Sequence, residues 1–215
     1  MTLKVRSFLK SIGLAIAITA CSAQGGASSS KEQTNVVDPT VTYDYSAQII
    51  LAGGCFWCVE SDFEKLDGIG DVISGFSGGE MTEPTYRNHG RHIEAALIPY
   101  DPSVFSYREL VDYFLRHIDP FDDGGQFCDR GHEYTTAIFY ADENERVQAE
   151  AARSEAESLL GQPIVTPAVQ AGEFWPAEDY HQNFYKTNPI RYNLYRQGCG
   201  RDARVEEIWG TVTHE

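Results

Sequence analysis

The sequence predicts an α+β fold, and two observations carry the prediction. Short apolar runs of strand character are interleaved with segments of helical periodicity, in the order strand, helix, strand, strand, helix, strand. Hydrophobic residues make up 42% of the chain and aromatics 12%, enough to build a packed core rather than a disordered chain. In 215 residues without an internal repeat, one domain is expected.

The elements follow in order. AQIILAGG (47–54) reads as a buried strand closing on two glycines, and a helix runs from about Cys55 to Leu66 with Val59, Phe63 and Leu66 on one face. GDVISGFSGG (70–79) is a second strand. HIEAALIPY (92–100) is a third, with His92, Glu94, Ala96 and Ile98 sharing a face because side chains alternate along a strand. Ser106 is placed to cap a helix over 107–118 that is apolar at Leu110, Val111, Phe114 and Leu115. YTTAIFYA (134–141) is the fourth strand, and Asp142 opens an acidic helix to about Leu160. This order is the split βαβ pattern of ferredoxin-like two-layer sandwiches, with a mixed sheet. The remainder holds PIVTPAVQ, a short helix near AEDYHQNFYKTN and a terminal stretch around Cys199, read together as a long irregular C-terminal segment.

The first twenty residues differ in kind. Lys4, Arg6 and Lys10 precede the short apolar run SIGLAIAITA, the pattern of a secretory signal peptide and too short to span a bilayer as a mature helix. Ile18-Thr19-Ala20 before Cys21 resembles a bacterial lipobox, which implies cleavage ahead of Cys21 and lipid attachment to its thiol. Ser, Gly, Gln and Asn dominate the residues after Cys21, so 21–45 reads as a flexible tether, 46–210 as the folded domain and 211–215 as a tail. The expected location is the periplasm, anchored by lipid to the cell envelope, with Ser22 favouring the outer membrane. A formal charge of −15 argues against a nucleic-acid partner or adhesion to anionic lipid beyond that anchor.

Chemistry concentrates in GGCFWCVE (53–60). Cys55 falls where a strand gives way to a helix, so unpaired first-turn amides and the helix dipole would favour its thiolate, with Gly53 and Gly54 turning the chain tightly and leaving the sulfur open. Cys58 lies one turn on, within disulfide reach. Two readings of it stand open: a thiol that traps oxidised Cys55, or a small core residue. Zinc would need about four good ligands, whereas Cys128 and Cys199 are isolated and His89 and His92 form only a weak HxxH pair. A thioredoxin-like dithiol enzyme lacks a preceding helix–strand unit here. A binding lipoprotein without turnover is a third, non-enzymatic reading. Phe56 and Trp57, between the thiols, suggest an apolar pocket beside a reactive sulfur.

These motifs, with SGFSGG (74–79), PTY (84–86), EAALIPYDP (94–102), GGQFCDRGHEYTTAIFY (124–140), PAEDYHQNFY (176–185) and GCGRD (198–202), resemble the peptide-methionine sulfoxide reductase A family over roughly residues 48–209. The resemblance implies a reductase of methionine-S-sulfoxide, free or in oxidised proteins and peptides, that repairs envelope proteins. It assigns Cys55 to attack on the sulfoxide sulfur and Phe56 and Trp57 to the methyl pocket. Glu94 becomes the acid that protonates the oxygen, Tyr86 and Tyr134 the phenols that bind it, and Asp129 a carboxylate lining the site. It implies a cysteine sulfenic acid, then a disulfide, reduced by an external thioredoxin-like dithiol with no bound cofactor or metal. Cys199, flanked by glycines, is the expected resolving cysteine and Cys58 its competitor; Cys128 is expected to pack beside Asp129 without a redox role, and the protein to be a monomer. The loop between Tyr86 and Glu94 is shorter than usual for the family, and Glu133, expected to face water, stands where glutamine is common.

Overall fold

The computed structural model describes residues 44–210. The expected signal peptide, Cys21, nearly all of the tether and the 211–215 tail lie outside them. The strands are β1 (Ala47–Gly53), β2 (Ile73–Ser77), β3 (Ile93–Tyr100), β4 (Gly125–Gln126), β5 (Asp129–Arg130), β6 (Thr136–Tyr140), β7 (Ala168–Gln170) and β8 (Trp175–Pro176). Interspersed are the helices α1 (Phe56–Phe63), α2 (Tyr107–Leu115), α3 (Glu143–Leu160), α4 (Phe184–Thr187), α5 (Pro189–Gly198) and α6 (Arg201–Trp209).

The main sheet has the order β7-β6-β1-β3-β2-β8. Its central four strands are antiparallel at every junction, so β1 and β2 run the same way with β3 between them: the split βαβ unit. A parallel β7 beside β6 makes the sheet mixed. Alternation along β1 sends Ile49 and Leu51 to one face and Ile50 and Ala52 to the other. The first face packs against Val59 and Phe63 of α1, Leu110, Val111, Phe114 and Leu115 of α2, and an alanine row of α3, Ala149, Ala152 and Ala156. The second face carries Ala95, Ala137 and Phe139, covered by Ala171 and Phe174.

Helix starts match their sequence signals. Ser106 and Glu109 form a reciprocal capping box on α2, and Asp142 accepts from the Glu145 amide at 2.9 Å on α3. Three details differ from expectation. The fourth strand begins at Thr136, because His132–Tyr134 forms a 3-10 turn, and α1 stops at Phe63. The C-terminal segment is regular: it contributes β7, β8 and three helices. α4 is the short helix expected near AEDYHQNFYKTN, whereas α5 and α6 bury little, Tyr192 on α5 and Val205 with Arg201 on α6, and leave Ile190 and Leu194 exposed, so no apolar stripe marks them.

Charge ties this segment to α1. Asp62, buried on α1, faces Arg196 at 2.8 Å and Arg201 at 3.8 Å. Arg201 also donates to the carbonyls of Gly53 (3.2 Å) and His117 (3.0 Å). Nearby, Glu60 accepts from the Asn183 amide at 2.7 Å; its burial pushes that carboxyl up to about 7.

Candidate active site

The β1–α1 turn is built around Gly54. Its φ of +78° is the left-handed region, and a Cβ there would stand 2.5 Å from Cβ of Gln126. The turn delivers Cys55 as the N-cap of α1, its carbonyl accepting from the amides of Cys58 (3.0 Å) and Val59 (3.4 Å). The next amide, Phe56 N–H, donates to Glu94 Oε2 at 3.0 Å. Register explains that contact: β3 places Glu94 opposite Phe76, on the same strand face as Ala96 and Ile98 and at the level of the helix start.

A pocket of about 120 Å³ opens beside the thiol. Its wall contains every residue to which the resemblance assigned a catalytic or substrate role, Cys55, Phe56, Trp57, Tyr86, Glu94, Asp129 and Tyr134, joined by Tyr195. Aromatic packing holds the apolar wall: Trp57 stacks on Phe184 at 3.9 Å and Phe56 sits against Phe76 at 5.9 Å. The hydroxyls of Tyr86 and Tyr134 hydrogen-bond to each other, and the Tyr86 amide donates to Glu178.

Burial pushes the Glu94 carboxyl up to about 8; the Phe56 amide opposes the shift, while the charges of Asp129, Cys58 and Glu133 add to it. Glu94 is therefore a neutral acid near pH 7. Glu133 is only half exposed and contributes to this shift instead of simply facing water. Cys55 departs from the sequence expectation. It is buried, with 5% of its surface exposed, and burial first, then the hydrogen bond and charge of Cys58 and the charge of Glu94, pushes its thiol well above the ordinary range. Burial and these neighbours outweigh the helix start. Cys58 moves the other way: the Cys55 thiol donates to it and Arg201 and Arg196 face it, which lowers it against the cost of its burial.

Cys55 and Cys58 are free thiols in contact with each other. Cys199 is bonded to Cys128, with their Cα atoms 5.0 Å apart. The expectation that Cys128 merely packs beside Asp129 is thus corrected, because the β4–β5 hairpin brings it to the C-cap of α5. No group of three or more His, Cys, Asp or Glu side chains among the described residues is arranged to hold a metal ion.

Comparison with known proteins sharpens this geometry. The family described as "Peptide methionine sulfoxide reductase" matches residues 47–213. The chain belongs to this family. A curated relative, "Peptide methionine sulfoxide reductase MsrA 2" of Rhizobium meliloti (strain 1021), is 53% identical over 163 residues, covering 75% of this chain and 82% of its own. The protein of the same description from Staphylococcus aureus (strain MW2) is 43% identical, covering 74% of this chain and 94% of its own. Among solved structures, Mxr1 of Saccharomyces cerevisiae in reduced form matches with a TM-score of 0.64 and 29% identity, over 71% of this chain and 92% of that one. Methionine sulfoxide reductase A of Corynebacterium diphtheriae matches with a TM-score of 0.58 and 30% identity, over 66% and 75%.

As a methionine sulfoxide reductase of the A type, the chain carries two site residues that sequence reasoning missed. His181 is buried against Phe56 at 5.1 Å and Tyr86 at 4.3 Å, and burial lowers its imidazole, so it backs the pocket as a neutral ring. It lies inside the quoted PAEDYHQNFY stretch, which was the available signal. Tyr195 donates to Asp129 and hydrogen-bonds with Cys55, and no local pattern in NLYRQGC announces it.

Proposed function

We propose that the chain reduces methionine-S-sulfoxide, free or within peptides and proteins, in two thiol steps. Phe56 and Trp57 hold the methyl group while the hydroxyls of Tyr86 and Tyr134 meet the sulfoxide oxygen. The Cys55 thiolate attacks the sulfoxide sulfur and Glu94 gives its proton to the oxygen. The hydroxyl then passes from the substrate sulfur to Cys55 Sγ as the bond between the two sulfurs breaks, so methionine leaves and Cys55 keeps the oxygen as a sulfenic acid. Cys58 then attacks Cys55 Sγ, water departs, and the resulting disulfide is reduced by an external thioredoxin-like dithiol. Cys58 takes the resolving role in this reading. The support is its contact with Cys55 and the two arginines beside it, whereas Cys199 reaches Cys55 only after its bond to Cys128 has been exchanged.

The observation that carries the proposal is Glu94, a carboxylic acid held at about 8 and bonded to the amide next to Cys55. A sulfoxide oxygen leaves only when protonated, and a neutral buried acid supplies that proton near pH 7. Cys55→Ser should abolish dithiothreitol-driven reduction of a methionine-S-sulfoxide peptide; activity that survives the change defeats the mechanism.

The repair of envelope proteins by a monomer tethered through lipid on Cys21 belongs to the same reading. It rests on the basic, apolar, lipobox-like start of the sequence. Labelled palmitate should enter the full-length protein but not its Cys21→Ala variant; equal labelling contradicts the anchor.

A further inference from the structure

Two features stand apart from the steps above: the Tyr195 hydroxyl and the Cys128–Cys199 bond. Tyr195 extends from α5, its ring edge-on to Trp57 at 6.1 Å, and its hydroxyl touches both Cys55 Sγ and Asp129 Oδ2. Asp129 comes from the β4–β5 hairpin, so two elements far apart in sequence meet over the catalytic sulfur. The disulfide joins those same two elements. Cys128 is the residue before Asp129, and Cys199 lies one helical turn after Tyr195.

Granting the reaction above, we propose that Tyr195 is a further catalytic residue whose hydroxyl carries the Cys55 thiol proton to the Asp129 carboxylate, and that the Cys128–Cys199 disulfide holds it in place. The bonding balances. The Cys55 S–H, which rests on Cys58, turns to the Tyr195 oxygen; as that S–H bond breaks its proton joins the phenol, and the phenol's own proton passes to Asp129, so nothing is oxidised. Glu94 stays protonated and free to serve the sulfoxide oxygen. One carboxyl removes a proton and the other supplies one, which solves a problem the buried site creates. Cys55 is desolvated and faced by Cys58 and Glu94, so it rests as the thiol and must lose a proton before it attacks. Asp129 is half-buried, faced by Tyr195 and by the charge of Arg201, and it is the acceptor that Tyr195 reaches.

The test compares the wild type, Tyr195→Phe and the paired Cys128→Ser, Cys199→Ser variant, each with Cys55 and Cys58 reduced and no reductant present. The wild-type disulfide is verified by peptide mapping. Two readouts are taken: the single-turnover rate on a methionine-S-sulfoxide peptide at pH 7, and the pH profile of Cys55 alkylation by iodoacetamide, read by mass spectrometry. Tyr195→Phe keeps the ring against Trp57, so the expected loss is chemical: about tenfold or more in the turnover rate, with alkylation moved to higher pH by about one unit. The serine pair should show the same two changes more weakly, and adding Tyr195→Phe to it should cost less than Tyr195→Phe costs alone. An unmoved alkylation profile in Tyr195→Phe overturns the proton role, even if turnover slows, because a packing defect would slow turnover without shifting the thiol. A serine pair indistinguishable from wild type overturns the tether. Absence of turnover in the wild type would count against the reductase reading instead, and the alkylation profile would still judge Tyr195.

Discussion

Glu94 shows what one residue costs and supplies. Its folded value of about 8 lies above the ordinary carboxyl value near 4.5, so the folded state holds a proton that the unfolded chain releases. Stability is then fully present below about pH 4.5 and declines as pH rises toward 8. Glu94→Gln removes the titration while keeping an acceptor for the Phe56 amide. Between pH 5 and pH 8 the wild type should lose on the order of 3 kcal/mol relative to Glu94→Gln in urea unfolding; parallel pH dependences would show that Glu94 is not held neutral. Cys55, Phe56, Trp57 and Glu94 were legible in the sequence because motif and strand alternation are local. Tyr195 and the Cys128 partnership were not: each depends on α5 meeting a hairpin some seventy residues earlier, a contact that no short pattern encodes. The Cys55 shift runs against the sequence expectation for a related reason, since burial and the Cys58 contact arise from packing, and they outweigh the helix start.

The element that decides the site is the β1–α1 turn. Gly54 needs a positive φ, and Gln126, fully buried and bonded to both the amide and the carbonyl of Asp119, leaves no room for a Cβ. Gly54→Ala should destabilise the protein by about 2–4 kcal/mol through left-handed strain plus the clash, and should displace Cys55 from Glu94. A loss below about 1 kcal/mol would mean that the turn has slack. The four central strands and the helices α1 to α3 were readable from period-2 and period-3.6 patterns and from their caps. The two-residue strands β4 and β5 and the helices α5 and α6 were not, because they are held by specific partners rather than by an apolar face. Arg201 is the clearest example, buried between Asp62 and two carbonyls.

Across the described residues, the C-terminal segment completes a site that the split βαβ core only begins. Phe184 backs Trp57, His181 backs Phe56, Glu178 receives the Tyr86 amide, and Arg196 and Arg201 face Cys58. The order of the core was legible in the sequence, whereas this closure was not, since it joins residues 92 or more positions apart. In the proposed reaction a thiol and a neutral acid, brought together by the β1–α1 turn and β3 and enclosed by that segment, reduce the sulfoxide. The most direct measurement is a single turnover of reduced enzyme with a methionine-S-sulfoxide peptide at pH 7, wild type against Glu94→Gln, followed by mapping of the oxidised cysteines. One methionine should form per wild-type chain with a Cys55–Cys58 disulfide, and the rate should be about a hundredfold lower in Glu94→Gln. An unchanged rate in Glu94→Gln, or methionine formed without oxidation of Cys55, would contradict the proposed reaction.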